Sequence, residues 1–173
     1  MSQVPICIFD FDTFDSRRFG PATLQSIITD FYNLVIISIK QDITDTQSPA
    51  RDTDNWVFSA FPENLGRDRD DYPIIICNSP DMYTDNFTFN KKSIEVSMNC
   101  DVYTAGNLSA KYADSLINDI IKLIEDRRTT TFKDGGFRGI KFDTTAPGAT
   151  VYMRGKIKVH FKSVRITSTY FEE

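Results

Sequence analysis

Few residues of the chain have the types and spacing that chemistry requires. Asp10 and Asp12 follow an apolar run, Glu95 and Asp101 lie in a strand-like segment, and His160 is the single histidine among 173 residues. Carboxylates and imidazole can act as nucleophile, acid or base. A zinc site needs more ligands than one histidine and three cysteines without a Cys-x-x-Cys pair offer. We therefore expect no metal and no cofactor, and no Ser/His/Asp set can be assembled.

The aspartate pair belongs to the string Ile6-Cys-Ile-Phe-Asp-Phe-Asp-Thr13. This string resembles the haloacid-dehalogenase phosphatase signature, an apolar strand that ends in Asp-x-Asp-x-Thr. The resemblance implies Asp10 as nucleophile and Asp12 as acid or base. Two features of that family are missing: the glycine between the second Asp and Thr, and a later lysine followed by paired aspartates on parallel α/β repeats. The other interpretation of the string is a solvated arm.

Period-2 alternation marks residues 93–103 as a strand with one buried and one wet face. Ile94, Val96, Met98, Cys100 and Val102 share the apolar face, and Glu95 and Asp101 lie on the polar face. Cys77 and Cys100, both in strand-like runs, are expected to be buried thiols in a reducing compartment.

A second alternating run, residues 151–161, carries basic residues on its polar face, where the first run carries acidic ones. Its polar face is predicted to hold Arg154, Lys156, Lys158 and Lys162 together with His160, which we expect at the surface. Opposite charges on neighbouring strands predict cross-strand ion pairs with Glu95 and Asp101, or an interface with a partner. The alternation changes phase after Ser163, which predicts a bulge or bend there.

The remaining elements follow from periodicity and turn residues. A helix is predicted from Pro21 to about residue 40, and a stronger one from about 107 to 128. Residues 72–78 read as a strand covered on both faces, and Trp56 to Phe61 as an edge strand inside a long loop, 41–72. Connectors are expected at 81–92 and at 129–149, the latter as a hairpin or packed loop. The fold class predicted is α/β in the α+β sense. An antiparallel or mixed sheet would carry two main helices in one domain, 21–173, with long loops and an N-terminal arm, 1–20.

Composition narrows the function classes. The net charge of −4 argues against a dedicated nucleic-acid binder, which usually has a basic excess. No signal peptide is apparent, and the longest apolar stretch, Leu34 to Ile39, is too short to span a bilayer. We expect a soluble protein made inside the cell that does not bind membranes.

The order of elements resembles the tail terminator (tail completion, neck) proteins of tailed bacteriophages. The order is helix, long loop, the strand Tyr72-Pro-Ile-Ile-Ile-Cys-Asn78, connector, alternating strand, the helix that begins Tyr112-Ala-Asp-Ser-Leu, long loop and terminal strand. The resemblance implies a structural virion protein without catalytic residues, one that forms a homo-oligomeric ring, expected to be a hexamer. The ring would cap the tail tube and join it to the head connector. Its partners would be the tail tube protein and the head–tail connector proteins. DNA would pass through the ring without specific recognition.

The leading prediction is therefore a virion assembly component located in the tail or neck and made in the host cytoplasm. Its interface candidates are Glu95, Asp101, Arg154, Lys156, Lys158 and Lys162. Two alternatives stay open: a phosphatase that uses Asp10 and Asp12, and a non-viral protein-binding module.

Overall fold

The computed structural model describes residues 24–45, 50–63, 68–88, 91–105, 109–144, 150–154 and 157–171. Within these ranges lie helix α1, Leu24–Asp42, and helix α2, Ser109–Arg127, which continues into a π-helical turn, Arg128–Phe132. The strands are β1 (Val57–Phe58), β2 (Ile74–Cys77), β3 (Asp81–Thr88), β4 (Lys91–Ala105), β5 (Phe137–Thr144), β6 (Thr150–Arg154) and β7 (Ile157–Phe171). Short 3-10 helices occupy Thr53–Asn55 and Arg69–Asp71. The predicted α+β class is confirmed.

The seven strands form one mixed sheet built around two long central strands, β4 and β7. The strand order is β1-β2-β4-β7-β5, with β3 beside the first part of β4 and β6 beside the first part of β7. Every pairing is antiparallel except β1 with β2. Each central strand is therefore flanked along its outer side by two shorter strands in succession.

Both helices pack on one face of this sheet. In α1 the buried apolar residues recur every four positions, at Ile27, Phe31, Val35 and Ile39. In α2 the buried stripe is Ala113, Leu116, Ile117, Ile120 and Ile124. Both spacings place the residues on one helical face. The helix predicted from 21 to about 40 is confirmed over its described part, including the β-branched run after Leu34.

An arginine at the end of α2 joins the two helices. The Arg127 guanidinium donates to Ser38 Oγ at 2.9 Å and to Asp42 Oδ2 at 2.6 Å, both in the last turns of α1. A cation at a helix C-terminus also meets the outward-pointing carbonyls favourably. The contact orders the ends of both helices over the sheet.

Two predicted connectors contain strands. Residues 81–92, expected to be a connector, form β3 and the start of β4, which begins at Lys91. Residues 129–149 contain the π-helical turn and β5. Among the described residues 81–84 of β3 none is buried, and in β5 the buried residues Phe137 and Ile140 are three positions apart, so neither strand shows a period-2 pattern. The expected edge strand after Trp56 is confirmed as β1, and the predicted strand at 72–78 is confirmed as β2, which is buried at all four positions.

The predicted bulge after Ser163 is wrong. The β4–β7 register runs from Ser93 opposite Phe171 to Ala105 opposite Val159 with no shift. The alternation of β7 changes phase for another reason. Val164 and Ile166 face the helices, whereas Val159 belongs to a second apolar cluster on the other face of the sheet. The strand stays regular while the side that is covered changes.

Candidate interaction surface

The β4–β7 pairing divides the sheet into two faces. Even-numbered residues of β4, from Ile94 to Val102, belong to the core beneath the helices. Odd-numbered residues of β4, with the residues opposite them on neighbouring strands, form the other side, which we call the outer face. The outer face differs sharply between its two ends.

Where β4 ends, the outer face is covered by aromatic and aliphatic side chains. This covered half consists of Tyr72, Ile74, Ile76 and Val159, packed by Phe58, Phe61, Tyr103, Ala105 and Ile157. The Tyr103 ring lies 5.1 Å from the Phe61 ring and 5.1 Å from the Phe161 ring, measured between centroids. Because Phe58, Phe61 and Tyr72 all come from the segment between α1 and β2, that segment provides the cover.

An arginine holds the covering segment in place. Arg51 Nε donates to Asp45 Oδ2 at 2.7 Å, and its two terminal nitrogens donate to the carbonyls of Asp71 and Pro73, each at 2.7 Å. The Asp45 side chain is 0% exposed, so Arg51 supplies the counter-charge to a buried carboxylate. The network ties Asp45 and Arg51 to the residues directly before β2, next to Tyr72.

The other end of the outer face, the open half, is polar, and its side chains are exposed or half-buried except for the buried Ser97. It is arranged in rows that cross β3, β4, β7 and β5. One row runs Tyr83, Glu95, Thr169, Arg138, and the next runs Asp81, Ser97, Thr167, Lys141. Tyr83 is 67% exposed and Phe171 is 42% exposed, the large hydrophobic side chains most open to solvent among the described residues. Exposed aromatic side chains within a polar surface are typical of protein interfaces.

Charges of opposite sign lie at the two margins of the open half. Asp81, on β3, and Lys141, on β5, are exposed and belong to the same row, three strand steps apart. Strands lie about 4.8 Å apart, so the two residues are separated by roughly 14 Å, too far for an ion pair within one chain. In the centre, Arg165 donates to Ser97 Oγ at 2.7 Å and lies opposite Asp143. The margins therefore keep charges that a partner can meet.

Of the predicted site residues, Glu95 and Asp101 share the outer face. Glu95 is exposed in the open half, opposite Tyr83 and Thr169. Asp101 is half-buried, lies opposite Ser163 and accepts a hydrogen bond from Asn78 Nδ2 at 2.8 Å. Neither residue lies opposite the basic run, so the expected cross-strand ion pairs with residues 154–162 are wrong.

The basic residues do not form one face. The run is a hairpin and not a single strand, with Arg154 of β6 opposite Ile157 of β7, so the alternation restarts. Lys158 and Lys162 lie on the helix side of the sheet, because Lys162 is opposite Val102. Lys162 forms its ion pair with Asp114 of α2. Lys156, like Asp10, Asp12 and the arm 1–20, lies outside the described residues.

The expected surface position of His160 is also wrong. His160 is 7% exposed and lies on the helix side of β7, opposite Thr104. Burial, and secondarily repulsion from Lys158, lower the pKa of the imidazole. Its Nδ1 has no hydrogen-bond partner in the described part of the chain. A neutral, buried ring at this position is consistent with packing.

Sequence reasoning missed the residues that make up most of the open half. Tyr83 and Asp81 were assigned to a connector, and Arg138, Lys141 and Asp143 to another. A signal was present in the terminal segment, because Arg165, Thr167, Thr169 and Phe171 alternate with Val164, Ile166, Ser168 and Tyr170. The pairing of β5 and β3 onto the same face could not be read without the register.

No group of three or more His, Cys, Asp or Glu side chains in the described part of the chain could hold a metal ion. No helix there is long and apolar enough to cross a membrane.

No protein-family model matches the chain, and no curated protein matches its sequence.

Proposed function

We propose that this chain is a structural subunit that assembles with copies of itself along the margins of its open half. In its finer form, the proposal is a tail terminator or neck protein of a tailed bacteriophage. It would form a ring, of six copies in the form the resemblance implies, that caps the tail tube and meets the head connector in the virion. The chemistry needed is recognition by shape, charge and strand pairing.

The observation that carries the proposal is the direction and charge of the two margin strands. Along the row β3, β4, β7, β5 the strands alternate in direction. A second copy that places its β3 beside the first copy's β5 continues this antiparallel order. Among the described strands, β3 pairs with β4 alone and β5 with β7 alone, so the outer edge of each is open to such a neighbour.

The same margins give the contact its selectivity. Exposed strand edges invite indiscriminate pairing, which charged residues and bulges suppress. Here β5 has a register shift between Arg138 and Lys141, and the exposed Lys141 faces outward. In the proposed contact, Asp81 on the β3 margin of a neighbouring copy would lie beside this lysine. Head-to-tail contacts of this kind close into rings when the rotation between subunits permits.

The phosphatase alternative is less well supported. The signature that includes Asp10 and Asp12 belongs to a parallel sheet, whereas the described strands here pair antiparallel except for β1 with β2. A magnesium-dependent phosphatase activity that disappears in the Asp10→Asn, Asp12→Asn variant would favour the enzyme over the structural subunit.

The proposal is tested by light scattering on size-exclusion fractions, combined with negative-stain microscopy of the protein alone and with isolated tail tubes. We expect a ring of defined mass and end-on caps on the tubes. A protein that stays monomeric across ionic strengths and leaves tubes bare would refute the terminator and favour a separate binding module. Rings that ignore the tubes would support self-assembly but overturn the tail assignment.

A further inference from the structure

Two cysteines lie directly opposite each other in the sheet. Cys77 of β2 pairs with Cys100 of β4, and both are fully buried free thiols. Directly beyond this pair, the Asn78 N–H donates to the Asn99 carbonyl at 2.9 Å, so Asn78 and Asn99 form a hydrogen-bonded pair. Hydrogen-bonded and non-hydrogen-bonded pairs alternate along antiparallel strands. Cys77 and Cys100 therefore occupy a non-hydrogen-bonded pair.

That position brings the two side chains close together. Cα atoms of a non-hydrogen-bonded pair are about 4.5 Å apart, within the roughly 4.4–6.8 Å range that disulfides span. Both side chains point to the helix side, into the core beneath α1. The geometry needed for an S–S bond thus exists in the native backbone.

The surroundings make the pair slow to react. The hydrogen bond with Cys77, followed by burial, raises the pKa of the Cys100 thiol. Burial, with smaller contributions from Cys77 and Cys100, also raises the pKa of the Tyr32 hydroxyl in α1. A thiol with a raised pKa is a poor nucleophile, because the thiolate is the reactive form.

We propose that Cys77 and Cys100 form an oxidation site, at which hydrogen peroxide converts the buried dithiol into a reversible cross-strand disulfide. One thiolate attacks a peroxide oxygen, giving a sulfenic acid and releasing one water after protonation. The second thiol then attacks the sulfenic sulfur, and the hydroxyl leaves as a second water. Two thiols and one peroxide become one disulfide and two waters, so the sulfur atoms lose the two electrons that the peroxide gains.

The disulfide would link β2 covalently to β4. The segment between the two cysteines contains β3, whose outer edge is one margin of the open half. A disulfide restricts the unfolded chain by closing this loop. The inference is independent of the proposed assembly, because it rests on the β2–β4 pairing and not on any partner.

The test uses the full chain with Cys7→Ser, which removes the third thiol, treated with hydrogen peroxide in native buffer. We expect slow loss of two hydrogen atoms in the intact mass and one disulfide-linked peptide pair joining Cys77 to Cys100. The midpoint of thermal unfolding should rise by roughly 5–10 °C. Dithiothreitol should return it to the starting value.

The matched control is the further variant Cys100→Ala, in which peroxide should leave the midpoint unchanged. If that variant fails to fold, the oxidised and re-reduced samples of the same Cys7→Ser protein provide the comparison. Recovery of Cys77 and Cys100 on separate peptides from folded, peroxide-treated protein would overturn the proposal. So would a link that forms only after unfolding in urea.

Discussion

The covered half and the open half of the outer face are built on the same two strands, β4 and β7, yet they differ in almost every respect. In the covered half, Tyr103 and Val159 point into an aromatic cluster supplied by the segment before β2. In the open half, Glu95 and Arg165 point into solvent on the same side of the same strands. The polarity of a strand face therefore depends on what lies over it locally, and one strand can change its buried side without any irregularity.

If the covered half depends on the hydrogen bonds of Arg51, the largest loss of stability should come from substitution of this residue. The Arg51→Met variant removes the guanidinium that pairs with the fully buried Asp45 carboxylate, while the backbone N–H of residue 51 can still donate to it. Breaking a buried pair from one side typically costs about 3–5 kcal/mol. We expect a loss of this size in the free energy of unfolding measured by urea titration.

The double variant Asp45→Asn, Arg51→Met provides the control for that experiment. Because it also removes the buried carboxylate charge that has lost its ion-pair cation, it should be more stable than Arg51→Met alone. Equal stability of the two variants would show that the charge of Asp45 is not what Arg51 neutralises.

Truncating one side chain in each half should change the free energy of unfolding by different amounts. Ile74 is fully buried in the covered half, and Asn99 is exposed in the open half. We expect Ile74→Ala to lower the free energy of unfolding by about 2–4 kcal/mol, and Asn99→Ala to change it by less than about 0.5 kcal/mol. Similar losses for both variants would contradict the division of the outer face.

A smaller effect should appear on the reverse side of the covered half, at His160. The folded state lowers the pKa of this imidazole, mainly by burial. The unfolded chain, with an ordinary pKa of about 6.5, therefore binds a proton first as the pH falls. The contribution of the neutral His160 to the free energy of unfolding should be complete above that pH. It should decline as the pH drops toward the lowered folded pKa, by at most about 1.4 kcal/mol per pH unit.

The check is urea unfolding at several pH values for wild type and His160→Gln. The difference between the two free energies should shrink or reverse between pH 7.5 and 5.5 in the direction of a less stable wild type. A difference that stays constant with pH would mean that His160 takes up protons equally in both states.

The smallest effect on stability should come from the exposed aromatics of the open half. Tyr83→Ser and Phe171→Ser should change the free energy of unfolding of the isolated subunit by less than about 0.5 kcal/mol. Their effect should instead appear in self-association, because exposed aromatic side chains contribute strongly to interfaces. Weakened stability with unchanged association, seen by sedimentation, would place both residues in the fold and not in a contact.

The elements that could be predicted from sequence are those with a complete local pattern. The stripe of α2 and the alternation from Ile94 to Val102 each repeat over many residues, and both are confirmed. The margin strands β3 and β5 were missed because a strand at the edge of a sheet buries too few side chains to show a strong period. The phase change in β7 was misread as a bulge, since the cover responsible for it comes from residues about a hundred positions earlier in the chain.

The candidate surface was predictable only in part for the same reason. Glu95 was placed correctly on an exposed strand face, but its neighbours depend on pairings between distant segments. Arg154 belongs to β6 and Lys158 to β7, two strands that pair antiparallel, so one alternation count through residues 151–161 does not apply.

The most direct test of the central claim is a charge-reversal series at the two margins, followed by sedimentation velocity. Asp81→Lys and Lys141→Asp should each dissociate the assembly at a concentration where wild type assembles. The double variant, and a mixture of the two single variants, should restore it. Asp119→Lys and Lys122→Asp, on the exposed face of α2, are the matched controls and should behave as wild type. A wild-type chain that remains monomeric, or single variants that assemble as well as wild type, would contradict the account.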